Sequence, residues 1–209
     1  MNKPLIILDA GHGALDPTTG KYVTPGKASR HEVDGSFYYE GVGNRVFARE
    51  WAKTLRIYGY EVEFTVCPSE WRDVPLHERT KRANDLSRNR DAILFSIHSN
   101  AAKSSTARGH EAFTFYGNTE ADIIADLWLK GFEEKFPDVP LRTDLSDGYL
   151  GKEANFAVVR DTVCPAILIE LEFHTNDDGV RLLRDPKFQC ETGVLLAETL
   201  NKYLDDVTH

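Results

Sequence analysis

The sequence has few of the features that mark disulfide scaffolds, membrane proteins or nucleic-acid-binding proteins. Its three cysteines, Cys67, Cys164 and Cys190, lie far apart along the chain, so we expect reduced thiols without a metal-thiolate site. No stretch of 18 apolar residues occurs, which argues against insertion into a membrane. The formal net charge is -8 and the basic residues are scattered, so no nucleic-acid partner is expected.

The beginning of the chain does not resemble a secretory signal. Residues 1–9 contain one lysine and a short apolar run that Asp9 ends. That run is too short for the hydrophobic core of a signal peptide. We therefore expect a protein that is synthesised in the cytoplasm without a signal peptide.

The chain has the length and composition of one globular unit. With 209 residues and a hydrophobic fraction of 41%, it can bury one substantial core. It has no internal repeat, low-complexity tract or linker. These features predict a single domain over residues 1–209.

The hydrophobic pattern predicts alternating strands and helices. Strands are predicted at residues 4–9, 61–66, 92–98, 110–116, 156–160 and 166–171. Helices are predicted at residues 40–58, 76–87, 119–136, 177–184 and 192–204. This order favours an α/β fold, a three-layer sandwich with a central, mostly parallel twisted sheet flanked by helices. Residues 14–39 form a long aperiodic stretch, which in a compact domain usually carries function.

Two histidines stand at the ends of predicted strands. His12 follows the first strand between two glycines, and His98 ends the strand at 92–98. The carboxyl ends of parallel strands line the ligand crevice of open α/β sheets, so the two histidines can converge on one metal ion. Read alone, either one is equally well an ordinary loop histidine.

A third ligand has to come from another segment, because catalytic zinc sites usually have three protein ligands and water at the fourth position. Glu40 opens the predicted helix 40–58, where the helix dipole also favours a carboxylate. His31 and Glu32 are rivals by chemistry. The residues by themselves leave the choice open.

Glu170 follows a run of apolar residues at 165–169. A buried acid is costly unless it is paired or functional, and a carboxylate beside a metal-bound water suits a general base. Glu172 is an alternative, because side chains at i and i+2 of a strand point to the same face.

Several segments occur in a distinctive order along the chain. They are Asp-Ala-Gly-His-Gly at 9–13, Leu-His-Glu-Arg-Thr-Lys-Arg-Ala-Asn at 76–84, Ser-Ile-His-Ser-Asn-Ala at 96–101, Gly-His-Glu at 109–111 and Pro-Ala-Ile-Leu-Ile-Glu-Leu at 165–171. Glu40 opens a helix between the first two. In these segments, which extend over nearly the whole chain, the sequence resembles the zinc-dependent N-acetylmuramoyl-L-alanine amidases of the type-3 amidase family.

The resemblance implies a set of roles. His12, Glu40 and His98 would hold one Zn²⁺ per chain, and Glu170 would be the catalytic acid/base. It favours Glu40 over Glu32, because the family's glutamate opens the helix, and Glu170 over Glu172. The chain departs from the family at Glu172, where glycine is usual, and at His174, which is often apolar.

The remaining candidates for contact with substrate are less specific. His110 and His174 lie near the family segments, and Arg30 and Arg142 lie in loops that can wall a groove. His31, His77 and the terminal His209 are isolated, and lone histidines are mostly surface or core residues.

The implied reaction is zinc-dependent hydrolysis of the amide bond between the lactyl group of N-acetylmuramic acid and L-alanine in peptidoglycan. The alternatives are a zinc peptidase or deacetylase acting on another bond of cell-wall material, and a wall-binding protein without activity. Some family members carry an extra helix that plugs the zinc site. The 71 residues between His98 and Glu170 are largely used by other predicted elements, so we expect no such plug.

The same resemblance, with the expected cytoplasmic synthesis, indicates a phage or prophage endolysin. Such a protein would depend on a holin for release and would then act on the cell wall. We expect a monomer.

Overall fold

The computed structural model of the protein describes residues 3–206. In this range the strands are β1 (Leu5–Ala10), β2 (Val62–Phe64), β3 (Ala92–Asn100), β4 (Glu111–Thr114), β5 (Lys152–Glu153) and β6 (Ala166–Phe173). The helices are α1 (Glu40–Ile57), α2 (Leu76–Leu86), α3 (Glu120–Lys135), α4 (Ala157–Arg160), α5 (Asp177–Arg184) and α6 (Pro186–Asp206). None of these helices is both long and apolar enough to cross a membrane.

The strands form one six-stranded sheet in the order β2-β1-β3-β6-β4-β5. Every pairing is parallel except that of β4 with β6, which is antiparallel. The predicted α/β sandwich with a mostly parallel sheet is therefore confirmed.

The sheet is buried on both faces, which explains why its central strands are continuous apolar runs. Alternate residues of β1 enter different cores: Ile6 and Leu8 join a large cluster with α1, α3, α5 and α6. Leu5 and Ile7 join a smaller cluster with α2 and α4 on the opposite face. The sheet and the helices packed on each of its two faces are the three predicted layers.

Two predicted elements differ from the structure. Residues 156–160 were predicted as a strand, but they form the short helix α4. A short run rich in valine fits either state, and only its surroundings decide between them. Helix α6 begins at Pro186 and not at residue 192. Proline is favoured at the first helical position, and the Asp185 carboxylate accepts the Lys187 N–H at 2.9 Å.

The predicted long loop is present, and of the cysteines, which we expected to be partly buried, Cys67 and Cys190 are exposed. Cys67, Cys164 and Cys190 are free thiols. Residues 14–39 contain no helix or strand and are held by isolated bridges such as Leu15 to Tyr22 and Ala28 to Tyr39. His209 lies outside the described residues.

Candidate metal centre

The parallel pairing of β1 with β3 brings the two predicted histidines together. Asp9 pairs with Ser96 and Ala10 with Ile97, so the carboxyl ends of the two strands lie side by side. His12 follows β1 directly, and His98 lies near the end of β3. Glu40, the first residue of α1, meets both.

The three side chains form a compact donor set. The Glu40 Oε1 atom lies 3.3 Å from His12 Nε2 and 3.0 Å from His98 Nδ1. The two imidazole rings are nearly perpendicular, with their centres 5.0 Å apart. One ligand atom from each residue lies within 4.8 Å of the others. Two imidazoles and one carboxylate are ligands that zinc prefers.

The electrostatics of the three residues fit a cation. Burial alone would raise the pKa of Glu40, but hydrogen bonds with His12 and His98 hold it well below its ordinary value. Burial lowers the pKa of His98, so the imidazole favours its neutral, metal-binding form. Glu40 Oε2 is buried and has no hydrogen-bond partner among residues 3–206. A bound cation would satisfy it.

The turn that presents His12 has a backbone that few side chains tolerate. His12 has a φ of 63°, in the left-handed region. A Cβ atom on Gly11 would lie 2.0 Å from His98 Cε1, so only glycine leaves room for that ring. Helix α1 holds the turn: Arg45 Nη1 donates to the His12 carbonyl at 2.7 Å, and Asn44 Nδ2 donates to the Gly11 carbonyl at 3.1 Å.

Glu170 joins the three residues from the neighbouring strand. It is the residue of β6 paired with His98. Glu170, His12 and His98 line one cavity of about 550 Å³. Its Oε2 atom is buried without a hydrogen-bond partner in the described part of the chain. Burial, reinforced by the negative charge of Glu40, raises the pKa of Glu170 well above its ordinary value.

Glu172 lies in different surroundings, although strand alternation predicted the same face. Between His98 and Asn100 the register with β6 shifts, so that Asn100 pairs with Phe173. This irregularity interrupts the alternation. The fully buried Glu172 accepts hydrogen bonds from Arg108 Nη2 at 3.1 Å and from the Gly109 N–H at 2.7 Å. Its carboxylate is thus already engaged.

The rival ligands lie elsewhere. His31 and Glu32 are exposed, and His31 pairs with Asp177 at 3.0 Å. His110 is buried in the core, where it stacks on Phe132 and accepts the Trp128 indole N–H at 2.6 Å. Burial lowers the pKa of His110 to about 3, so it is a neutral core residue.

His174 lies behind the metal centre. Its Nδ1 atom is 3.9 Å from Glu40 Oε2 and 2.9 Å from the Ser99 carbonyl oxygen. The two arginines expected near substrate are otherwise engaged: Arg142 donates to Glu111 at 2.6 Å, and Arg30 donates to the Ala102 and Lys103 carbonyls.

Two other cations line the cavity, Lys27 and Arg79, and neither was predicted from the sequence as a site residue. Arg79 lies in the segment at 76–84 and pairs with the buried Asp9. Lys27 lies in the aperiodic stretch 14–39, where no periodicity or spacing marks a functional side chain. The length of that loop was the only feature of the sequence that indicated a functional role for it.

The family described as N-acetylmuramoyl-L-alanine amidase matches residues 6–202. Among curated relatives, the N-acetylmuramoyl-L-alanine amidase AmiC of Neisseria meningitidis is 28% identical over 239 aligned positions, which cover 97% of this chain and 53% of that protein. The chain spans about half the length of the curated relatives it matches.

Two solved structures are similar over nearly their whole length. The catalytic domain of CwlV, an N-acetylmuramoyl-L-alanine amidase from Bacillus (Paenibacillus) polymyxa, has a TM-score of 0.73 at 27% identity, covering 97% of this chain and 98% of that one. The N-acetylmuramoyl-L-alanine amidase from Clostridium difficile 630 has a TM-score of 0.76 at 26% identity, covering 98% of each chain.

Proposed function

The chain belongs to the N-acetylmuramoyl-L-alanine amidase family, and from this premise we propose that it hydrolyses the amide bond between the lactyl group of N-acetylmuramic acid and L-alanine in peptidoglycan. The observation that carries the proposal is the cluster of His12, Glu40 and His98 beside a cavity that Glu170 also lines. We propose that residues 1–209 act as a single catalytic domain.

The donor set supports one zinc ion per chain, held by His12, Glu40 and His98. Three protein ligands leave a position for water, which is the arrangement of catalytic zinc sites. When bound, zinc would polarise the amide carbonyl and lower the pKa of the attacking water. The unpartnered Glu40 Oε2 supports the fit.

Glu170 is proposed as the group that moves the proton. Its free Oε2 atom can accept a proton from the attacking water and then deliver it to the leaving nitrogen of alanine. The new carbon–oxygen bond forms first, and the carbon–nitrogen bond breaks when the nitrogen receives that proton. The products are a free lactyl carboxylate and a stem peptide with a free amino terminus.

We propose that no helix of this chain plugs the cavity. In the described structure, the helices between His98 and Glu170 are α3 and α4. Helix α3 buries Trp128 and Phe132 in the core, and α4 contributes Ala157 and Val158 to the cavity wall. We therefore propose an enzyme that acts without an activator.

The test uses purified protein alone on a soluble disaccharide-peptide from peptidoglycan, with the products identified by mass spectrometry. We expect intact peptide and intact disaccharide, no turnover after chelation, and recovery of turnover when zinc is added. Cleavage within the peptide would identify a peptidase instead, and loss of an acetyl group would identify a deacetylase. Binding to sacculi without any product would identify a wall-binding protein.

The cellular setting remains a prediction. A phage or prophage endolysin released by a holin would be encoded beside holin and tail genes, so the genomic neighbourhood tests this expectation. Sedimentation analysis tests the expected monomer.

A further inference from the structure

We propose that Lys27 is a further catalytic residue, whose ammonium group donates a hydrogen bond to the oxygen of the scissile carbonyl as negative charge develops there. The inference rests on the proposed function, since it assigns a role in that same reaction. It concerns a side chain in the loop 14–39, outside the ligand set and the general base.

The backbone fixes Lys27 next to the metal centre. The Lys27 carbonyl accepts the Glu40 N–H at 2.9 Å, and the adjacent Ala28 forms an antiparallel bridge with Tyr39. The loop is thereby tied to the first residue of α1, which is itself a proposed ligand. Lys27 Nζ lies 3.9 Å from Glu40 Oε2, and the side chain lines the same cavity as His98 and Glu170.

The ammonium of Lys27 is available to a substrate. Among residues 3–206 it makes no side-chain hydrogen bond, and its distance from Glu40 Oε2 is longer than a hydrogen bond. Arg79, the other lysine or arginine in the described cavity lining, donates Nε to Asp9 at 2.8 Å and is almost fully buried. Lys27 is about half exposed, so it can reach a bound molecule.

The chemistry of the scissile bond decides which oxygen Lys27 would meet. The lactyl group and L-alanine, which flank that bond, carry no ionised side chain. A cation beside the ligands therefore meets no fixed negative charge of the substrate there. It meets the charge that appears on the carbonyl oxygen when water attacks. An interaction present mainly in the transition state raises kcat and has little effect on KM.

The experiment compares Lys27→Met with Lys21→Met, a lysine of the same loop whose exposed side chain makes no described contact. Turnover of the soluble disaccharide-peptide gives kcat and KM, and metal analysis and thermal melting are recorded for each variant. Affinity for the substrate is measured by calorimetry in a Glu170→Gln background, with and without Lys27→Met.

We expect Lys27→Met to lower kcat about tenfold to a hundredfold, somewhat less than for a sole oxyanion donor because zinc shares the charge. KM, zinc content, melting temperature and calorimetric affinity should stay near those of the parent protein. Lys27→Arg should retain more activity than Lys27→Met, and Lys21→Met should match the wild type.

Three outcomes would overturn the role. An unchanged kcat in Lys27→Met removes Lys27 from the reaction, and a raised KM with unchanged kcat makes it a binding group for a substrate carboxylate. Loss of zinc makes it a positioning residue for Glu40. If the wild type itself releases no peptide, the proposed function fails and this role fails with it. An active wild type with an equally active Lys27→Met rejects the role of Lys27 alone.

Discussion

Two neighbouring buried polar clusters differ in how far their hydrogen bonds are satisfied. In the first, Asp9 on β1 accepts hydrogen bonds from Arg79, Ser96 and Thr65. In the second, which lies around His12 and His98, Glu40 at the start of α1 and Glu170 on β6 each leave a buried oxygen without a partner in the described structure. The first cluster holds the strands and α2 together, whereas the second keeps free capacity for a ligand.

The contrast also appears in the protonation of the two clusters. Burial alone would raise the pKa of Asp9, but the charge of Arg79 and hydrogen bonds from Arg79, Ser96 and Thr65 hold it well below its ordinary value. Among residues 3–206 no such donor contacts Glu170, and its pKa is raised by burial and by the charge of Glu40. A buried polar group without partners costs stability, so its presence points to function.

The largest effect is expected at Glu170. Glutamine is nearly isosteric with glutamate but cannot accept a proton at neutral pH, so Glu170→Gln should lower kcat by about two to four orders of magnitude. Because Glu170 is not a proposed ligand, the variant should keep its zinc. Steady-state kinetics with metal analysis checks both points.

Glu172→Gln is the matched control for this substitution. It weakens the ion pair with Arg108 and should therefore lower the melting temperature. Its kcat should stay within about tenfold of the wild type, as for a residue outside the reaction. A dead Glu172→Gln beside an active Glu170→Gln would reverse the assignment of the base.

The next largest effect is expected at Asp9. Asp9→Asn leaves the Arg79 charge buried and unpaired, which should lower the free energy of unfolding by about 3–5 kcal/mol. Asp85→Asn, which removes the surface pairs with Lys81 and Arg88, should lower the free energy of unfolding far less. Urea unfolding of the two variants measures the difference. Equal losses would mean that the buried pair contributes no more than a surface one.

The stabilisation that Asp9 provides to the folded protein also depends on pH. Since the pKa of Asp9 is depressed in the folded state, its carboxylate stabilises the fold fully above the unfolded value of about 3.9. That contribution is lost as the pH falls below this value toward the folded pKa. The difference in stability between the wild type and Asp9→Asn should therefore narrow below about pH 4.

A separate effect, on metal content, is expected at His98. Loss of one of three ligands should reduce the zinc content of purified His98→Ala by at least about tenfold. His31→Ala is the control, because His31 was a rival ligand and is exposed. Metal analysis after equal dialysis gives the result, and full zinc occupancy in His98→Ala would remove this residue from the ligand set.

The sequence predicted the parts of the fold that depend on long continuous patterns. The apolar runs of β1, β3 and β6 are buried on both faces, and α1 has a strong three- and four-residue period. These elements carry His12, His98, Glu170 and Glu40, so the positions of the candidate residues were predictable as well. The convergence of the first three follows from the parallel register of the strands.

What the sequence did not predict depends on contacts between distant segments. The surroundings of Glu172 depend on the irregular pairing of β6 with β3, which leaves no mark in the residue pattern. The position of Lys27 depends on a backbone bond to Glu40 across an aperiodic loop. Helix α4 has only 4 residues, too few for a helical period to be recognised in the sequence.

The arrangement of the donor set has a consequence for the unfolded chain. Glu40 and His98 are separated by 58 positions, and His12 comes from a third segment. A metal bound by all three would act as a reversible cross-link that closes two long loops. Such a link limits the conformational entropy of the unfolded ensemble, and the benefit grows with loop length. A metal ion bound here would therefore stabilise the fold as well as take part in the reaction, and its removal would take away both contributions.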